Sequence, residues 1–306
     1  MIRIQVALLR REVWEHRSIL VVPLVVALVV VLTSLTGQVS INDVQHLDMA
    51  ILGASNMPEN VRAAALTFIM ITLSAPMTIA MWILTVFYSL DSLYAERKDR
   101  SILFWRSIPV TDFETVLSKL LTALLIIPLV SFAVIAATHL VVLFNISAWL
   151  DIRGGSPWHL IWDAVPLADN WTAALVWLMA WPLWLSPFVG WFLFVSAFTK
   201  RSPLLVATLP VVLLPLFEKM FFDTSVMAKA FFLRSVKMPM LTNLDKLKSL
   251  VGEGEDLERF ANVKLSLMSV MDIGGFLANP QLWLGIVVCA LFTAAAIYVR
   301  RYRDES

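Results

Sequence analysis

The sequence predicts an all-α membrane protein: six transmembrane helices with an N-terminal interfacial helix, a cytoplasmic coupling helix and an extracytoplasmic helical cap. Three observations predict it. Of 306 residues, 59% are hydrophobic and only 15% charged, where a soluble domain carries about a quarter charged residues. Mean hydropathy is +0.79. Uncharged apolar runs recur that are long enough to cross a bilayer core of ~30 Å. Lysine and arginine gather in alternate connecting segments, as they do when every second segment stays on the cytoplasmic side. The long segment after the fifth span is basic too and is the exception, long loops being translocated largely regardless of charge.

Residues 1–18 read as an interfacial helix. Ile2, Val6, Leu9 and Val13 share one helical face, and Arg3, Arg10 and Arg17 recur at seven on another. A charged helix ahead of the first apolar run, with no small-residue cleavage site, does not read as a cleavable signal peptide. The predicted spans are 19–35, 63–90, 116–145, 171–198, 202–217 and 281–299, within a single domain covering 1–306. Prolines fall inside several: Pro23, Pro76, Pro128, Pro182, Pro187, Pro210 and Pro215, each of which removes a helical hydrogen bond. The loop between the first two spans is acidic and external. The loop before the fourth carries Trp149, Trp158 and Trp162, residues that favour the headgroup belt.

The segment 91–115 is dense in charge between two uncharged spans. Glu96 and Arg100 stand four apart, the spacing of an exposed helical ion pair. Phe104 and Trp105 sit in an apolar cluster that needs a surface to lie on. Pro109 breaks the chain, and Thr111 with Glu114 has the spacing of a capping box that restarts a helix. Segment 218–280 mixes both signs of charge and is expected to form an extracytoplasmic cap. Amphipathic stretches fall at 227–236 and 257–271, a Gly252-Glu253-Gly254 turn lies between them, and 268–277 is expected to dip toward the membrane.

Segments expected inside carry Arg3, Arg10, Arg11, Arg17, Arg97, Lys98, Arg100, Arg106, Lys119, Lys200, Arg201, Arg300, Arg301 and Arg303; the two short external loops carry only Arg62 and Arg153. Both termini are therefore expected in the cytoplasm.

Glu96-Arg97, then Ser107-Ile108-Pro109-Val110-Thr111, then Glu114 and Lys119 at the mouth of a span resemble a loop found in one family. It is that of the permease subunits of ATP-binding-cassette exporters of the second permease class, or type V exporters. The family's Gly-Thr after the Glu-Arg pair is replaced here by Asp99-Arg100-Ser101. The resemblance implies that segment 91–115 is a handle gripped by a separate nucleotide-binding subunit. Glu96, Arg97, Arg100, Phe104, Trp105 and Arg106 would provide the coupling, and Thr111 and Glu114 the cap. It implies a second permease copy, identical or a close paralogue, with the second and fifth spans lining a path between the two. Met70, Met77, Met81 and Phe217 are the candidate path residues. ATP and Mg are expected in the partner, with no cofactor in this chain; the setting implied is a bacterial inner membrane.

The chain has no G-x-x-x-x-G-K-[ST], H-E-x-x-H or G-x-S-x-G, so it is not expected to be an enzyme. His16, His46, His139 and His159 have no metal-ligand spacing, and no nucleic-acid partner is expected. The lone Cys289 excludes an internal disulfide. His139 is the one titratable side chain assigned within a span, read as a hydrogen-bonded histidine near the outer interface. Trp177, Trp181, Trp184 and Trp191 are expected to face lipid or the interface, and the methionine stripe reads equally as packing. A secondary transporter driven by ions or protons, or a non-transporting scaffold, are the alternatives. The first usually needs ionisable groups near the midplane.

Overall fold

The computed structural model describes residues 2–40, 55–99, 109–240 and 266–302, which are helical with no strand among them. In order, the helices are α1 (Ile2–Glu15), α2 (Ser18–Ser40), α3 (Glu59–Lys98), α4 (Asp112–Leu121), α5 (Ile127–Ile152), α6 (Leu167–Trp184), α7 (Ser186–Phe198), α8 (Pro203–Phe222), α9 (Val226–Val236), α10 (Leu267–Val270), α11 (Ile273–Ala278) and α12 (Pro280–Tyr302). Wider helical turns at Thr122–Ile126 and Trp158–Trp162 join α4 to α5 and precede α6. By length and composition, five helices can cross a membrane, or six if α6 and α7 count as one span.

The predicted spans fall inside these helices, but their ends and shapes differ. The second does not stop at residue 90. It runs on two further turns to Lys98, because 91–98 contains no glycine or proline and places Arg97 and Lys98 at the negative end of the helix dipole. Segment 91–115 thus begins as a continuation of α3. The fourth span is bent by 55° at Leu185. Pro187 has no N–H for the Leu183 carbonyl, so the helix breaks there and restarts. Pro128 deprives the Leu124 carbonyl in the same way, inside the wide turn that opens the third span.

Outward faces are apolar. Leu24, Leu28 and Leu32 of α2 are each more than half exposed, and on α8 only Ala207 and Glu218 are buried. A sheath of this kind suits contact with lipid. Inside, Met77 and Met81 pack with Ile19, Leu84, Ile127, Ile135 and Leu193 in the main core, and Met70 packs in a second cluster with Leu66 and Leu143. Helices α7 and α12 run side by side, and Gly190 makes that possible: a Cβ there would lie 2.9 Å from the Cys289 Cα. Of the 218–280 segment, α9, α10 and α11 are described. The Glu218 carboxylate caps α9 by accepting from the Val226 and Met227 amides, each at 2.7 Å. The Gly252-Glu253-Gly254 turn and most of 257–271 lie outside the described residues.

Candidate functional site: an ion knot and an aromatic cavity

Two constructions stand out, at opposite ends of α12. The first is a buried ion knot. Lys119, fully buried on α4, bonds Glu12 of α1 at 3.0 and 3.2 Å and Glu96 of α3 at 3.0 Å. Glu96 also receives Arg300 of α12 at 2.5 Å and Arg11 of α1 at 3.3 Å. Arg300 reaches on to Asp112 of α4 at 2.9 Å. The Tyr88 hydroxyl donates to Glu12 at 2.8 Å, and the His16 ring stands edge-on to Tyr88. Glu12 and Glu96 are no more than 1% exposed. Carboxylates that deep survive as ions only when paired and hydrogen-bonded, and these are. Burial lowers the His16 pKa from its ordinary 6.5; Glu12 pulls it up and Lys119 pushes it down.

The knot corrects several expectations. Glu96 is not exposed; it is a buried hub, because the extra turns of α3 carry it between α4 and α12. Arg300, expected only as one of the basic residues on the cytoplasmic side, is 5% exposed and bonded into the knot. On α1 the inward face is Leu8 and Glu12, while Val6 is 59% exposed. Ionisable groups therefore do lie inside the bundle besides His139.

Thr111 and Glu114 form the capping box in full: the Thr111 hydroxyl accepts from the Glu114 amide at 3.2 Å, and the Glu114 carboxylate accepts from the Thr111 amide at 2.9 Å. Arg97 fastens α3 to the end of α7, donating to the carbonyls of Ser196 and Thr199 at 2.6 and 2.7 Å. Arg100, Phe104, Trp105 and Arg106 lie outside the described residues. Met70, Met77 and Met81 are at most 2% exposed, positions of packing; Phe217 is half exposed and stacks on Phe221. His139 is buried, with Nε2 3.0 Å from Ser74 Oγ and 3.1 Å from the Met70 carbonyl.

The second construction is a cavity of about 1200 Å³ among α6, α7, α8, α9 and α12. It lies at the α6–α7 bend, with lining residues on both sides of Leu185. Trp177, Trp181, Trp184 and Trp191 line it; Trp184, 3% exposed, is thereby corrected from its assignment to lipid or interface, and the other three are half-buried. Trp177 stacks on Trp181 at 5.3 Å. Arg234 of α9 lies over the Trp184 ring, 4.5 Å from its centre. Its Nε donates to the Trp184 carbonyl at 3.0 Å and its Nη1 to the Gln281 carbonyl at 3.1 Å, while Trp184 Nε1 returns a bond to the Arg234 carbonyl at 2.9 Å. Gly285 makes room for the guanidinium; a Cβ there would collide with it. Lys229 and Lys237 also line the cavity, and no carboxylate does among the described residues. No group of three or more His, Cys, Asp or Glu side chains placed to hold a metal occurs among the described residues.

What fold and site define is a class: the described residues are all-helical, with five or six helices of membrane-crossing length and apolarity among them, as in a multi-pass membrane protein. Against known proteins, no family model, no curated protein and no solved structure matches the chain.

Proposed function

We propose that this chain is the membrane-spanning subunit of an ATP-driven exporter, a type V permease that pairs with a second copy and is worked by separate ATPase subunits. The observation that carries the reading is the ion knot. Glu96 ends the helix that leads into segment 100–108, and Asp112 and Lys119 lie on the helix that leads out of it. Both flanks are bonded to Arg300 at the end of α12, and through Glu12 and Arg11 to α1. A push on the intervening segment is thereby passed to the second, third and last spans together. Buried, hydrogen-bonded ion pairs suit such a joint, since they resist separation strongly. The ATP and Mg are the partner's, and the setting proposed is a bacterial inner membrane with both termini inside.

The test is purification of the chain with and without a P-loop ATPase encoded beside it. The chain alone should hydrolyse no ATP; the pair should form a complex whose turnover drives transport. Phe104→Ala or Trp105→Ala should release the ATPase or uncouple it, since a buried aromatic anchor contributes about 2 kcal/mol or more at an interface. Unchanged complex and transport in both variants would overturn the handle.

One observation favours a second reading, a proton- or ion-coupled transporter: the buried Glu12–Lys119–Glu96 chain is a set of ionisable groups within a bundle. Transport that persists without ATP but collapses with the proton gradient would favour it.

A further inference from the structure

We propose that the cavity at the α6–α7 bend is a binding site for an anionic amphiphile, a molecule with an acyl-type apolar body and a single carboxylate or phosphodiester head. The walls set the body. Trp177, Trp181, Trp191 and Phe292 present ring faces and edges over a volume of about 1200 Å³, larger than the ~300–1,000 Å³ of ordinary small-molecule pockets. Apolar chains, not polar solutes, are favoured by such a lining.

The charges set the head. Lys229, Arg234 and Lys237 all line this one cavity, and no described residue forms an ion pair with any of them. Arg234 is held in place rather than free to swing out, by its two bonds to carbonyls and by the Trp184 ring beneath it. Its Nη2 is buried without a hydrogen-bond partner. Half-buried, fixed in place and paired with no acid among the described residues, the guanidinium is placed to meet an anion. The two lysines, both exposed, line the same cavity from α9 and the residue that follows it, flanking Arg234 along the chain.

The cavity is remote from the ion knot. Gly285 touches Arg234, and Arg300 closes the knot fifteen residues further along α12, about 22 Å at the helical rise. The inference therefore does not depend on ATP-driven transport, and it is read on this chain alone.

Binding is measured by native mass spectrometry on the full chain in a nonionic detergent, with four probes: oleate, dioleoylphosphatidylglycerol, uncharged dioleoylglycerol and inorganic phosphate. Either anionic amphiphile should bind at least about tenfold more tightly than dioleoylglycerol, the factor expected from one charge-assisted hydrogen bond. The preferred one names the head as carboxylate or phosphodiester. Arg234→Gln should remove that preference. Because Arg234 also supports Trp184, the double change Lys229→Gln and Lys237→Gln, at exposed positions, provides a variant whose fold is not in question; it should weaken both anions several-fold and leave dioleoylglycerol unchanged. Equal binding of dioleoylglycerol, binding of phosphate alone, or anion affinities unmoved by the double change would each overturn the proposal.

Discussion

The two ends of α12 handle charge in opposite ways. At Arg300 the charges are sealed in, and each described acid of the knot has a cation within 3.3 Å. At Gly285 the cations stand beside aromatic rings with no acid among the described residues lining the same space. A buried charge that has found its counter-charge inside the chain is a structural joint. The cavity cations, one half-buried and two exposed, have no such counter-charge among the described residues, and it is there that a ligand is proposed to bind. Between them runs the α7–α12 strut, packed at Gly190 and Cys289.

The contrast can be broken most forcefully at Lys119. Replacing it by methionine leaves Glu12 and Glu96 buried with their shared cation gone. Breaking a buried pair on one side costs about 3–5 kcal/mol. Lys119→Met should therefore fail to purify or should unfold far earlier in a detergent thermal melt. Near-unchanged stability would mean that the knot is not a joint.

The strut comes next. Gly190→Ala places a methyl group against the α12 backbone at Cys289. Overpacking of this kind costs typically about 1–3 kcal/mol, and the same melt should register it. If the two ends communicate through the strut, this variant should also alter ligand binding at the cavity while leaving every knot residue in place.

Smaller still is the cap. Thr111→Ala removes the hydroxyl that accepts from the Glu114 amide, a loss of about 1 kcal/mol. It should loosen the start of α4 in hydrogen exchange while the cavity end stays protected.

The smallest effect is a pH dependence confined to the knot. Burial keeps the His16 pKa below 6.5, so as pH falls the unfolded chain takes up the proton first. The stability due to neutral His16 is complete above about pH 6.5 and declines as pH drops below it. His16→Gln should flatten the melting temperature over that range. A slope left intact in the variant would assign the effect to another group.

How much of this was legible in advance depends on the distance over which each feature is decided. The capping box could be read because Thr111 and Glu114 are three residues apart and their bonds are local. The spans could be read because a bilayer demands unbroken apolar length, which a linear pattern reports. The bend at Leu185 was half legible: Pro182 and Pro187 marked the fourth span, but no local rule set the 55° or the side on which the cavity would open.

The knot was not legible at all. Lys119 and Glu12 are 107 positions apart, and Arg300 and Glu96 are 204. Glu12 was not singled out: it stands with Glu15 on a helix rich in arginine, and no neighbour along the chain marks it as buried. Charge on a span's flank means solvent in most sequences, so Glu96 was read as half of an exposed pair, and nothing near Arg300 marked it as buried. The tryptophans misled for a similar reason: a ring that can face lipid can equally line a cavity, and periodicity does not separate the two. The sequence by itself thus determined the helical class, the long apolar helices and the cap of α4, all consequences of neighbours along the chain. Which charges are buried together, and which are left facing an apolar space, was decided only when tertiary packing brought α1, α3, α4 and α12 to one point and spread α6 from α7 at another.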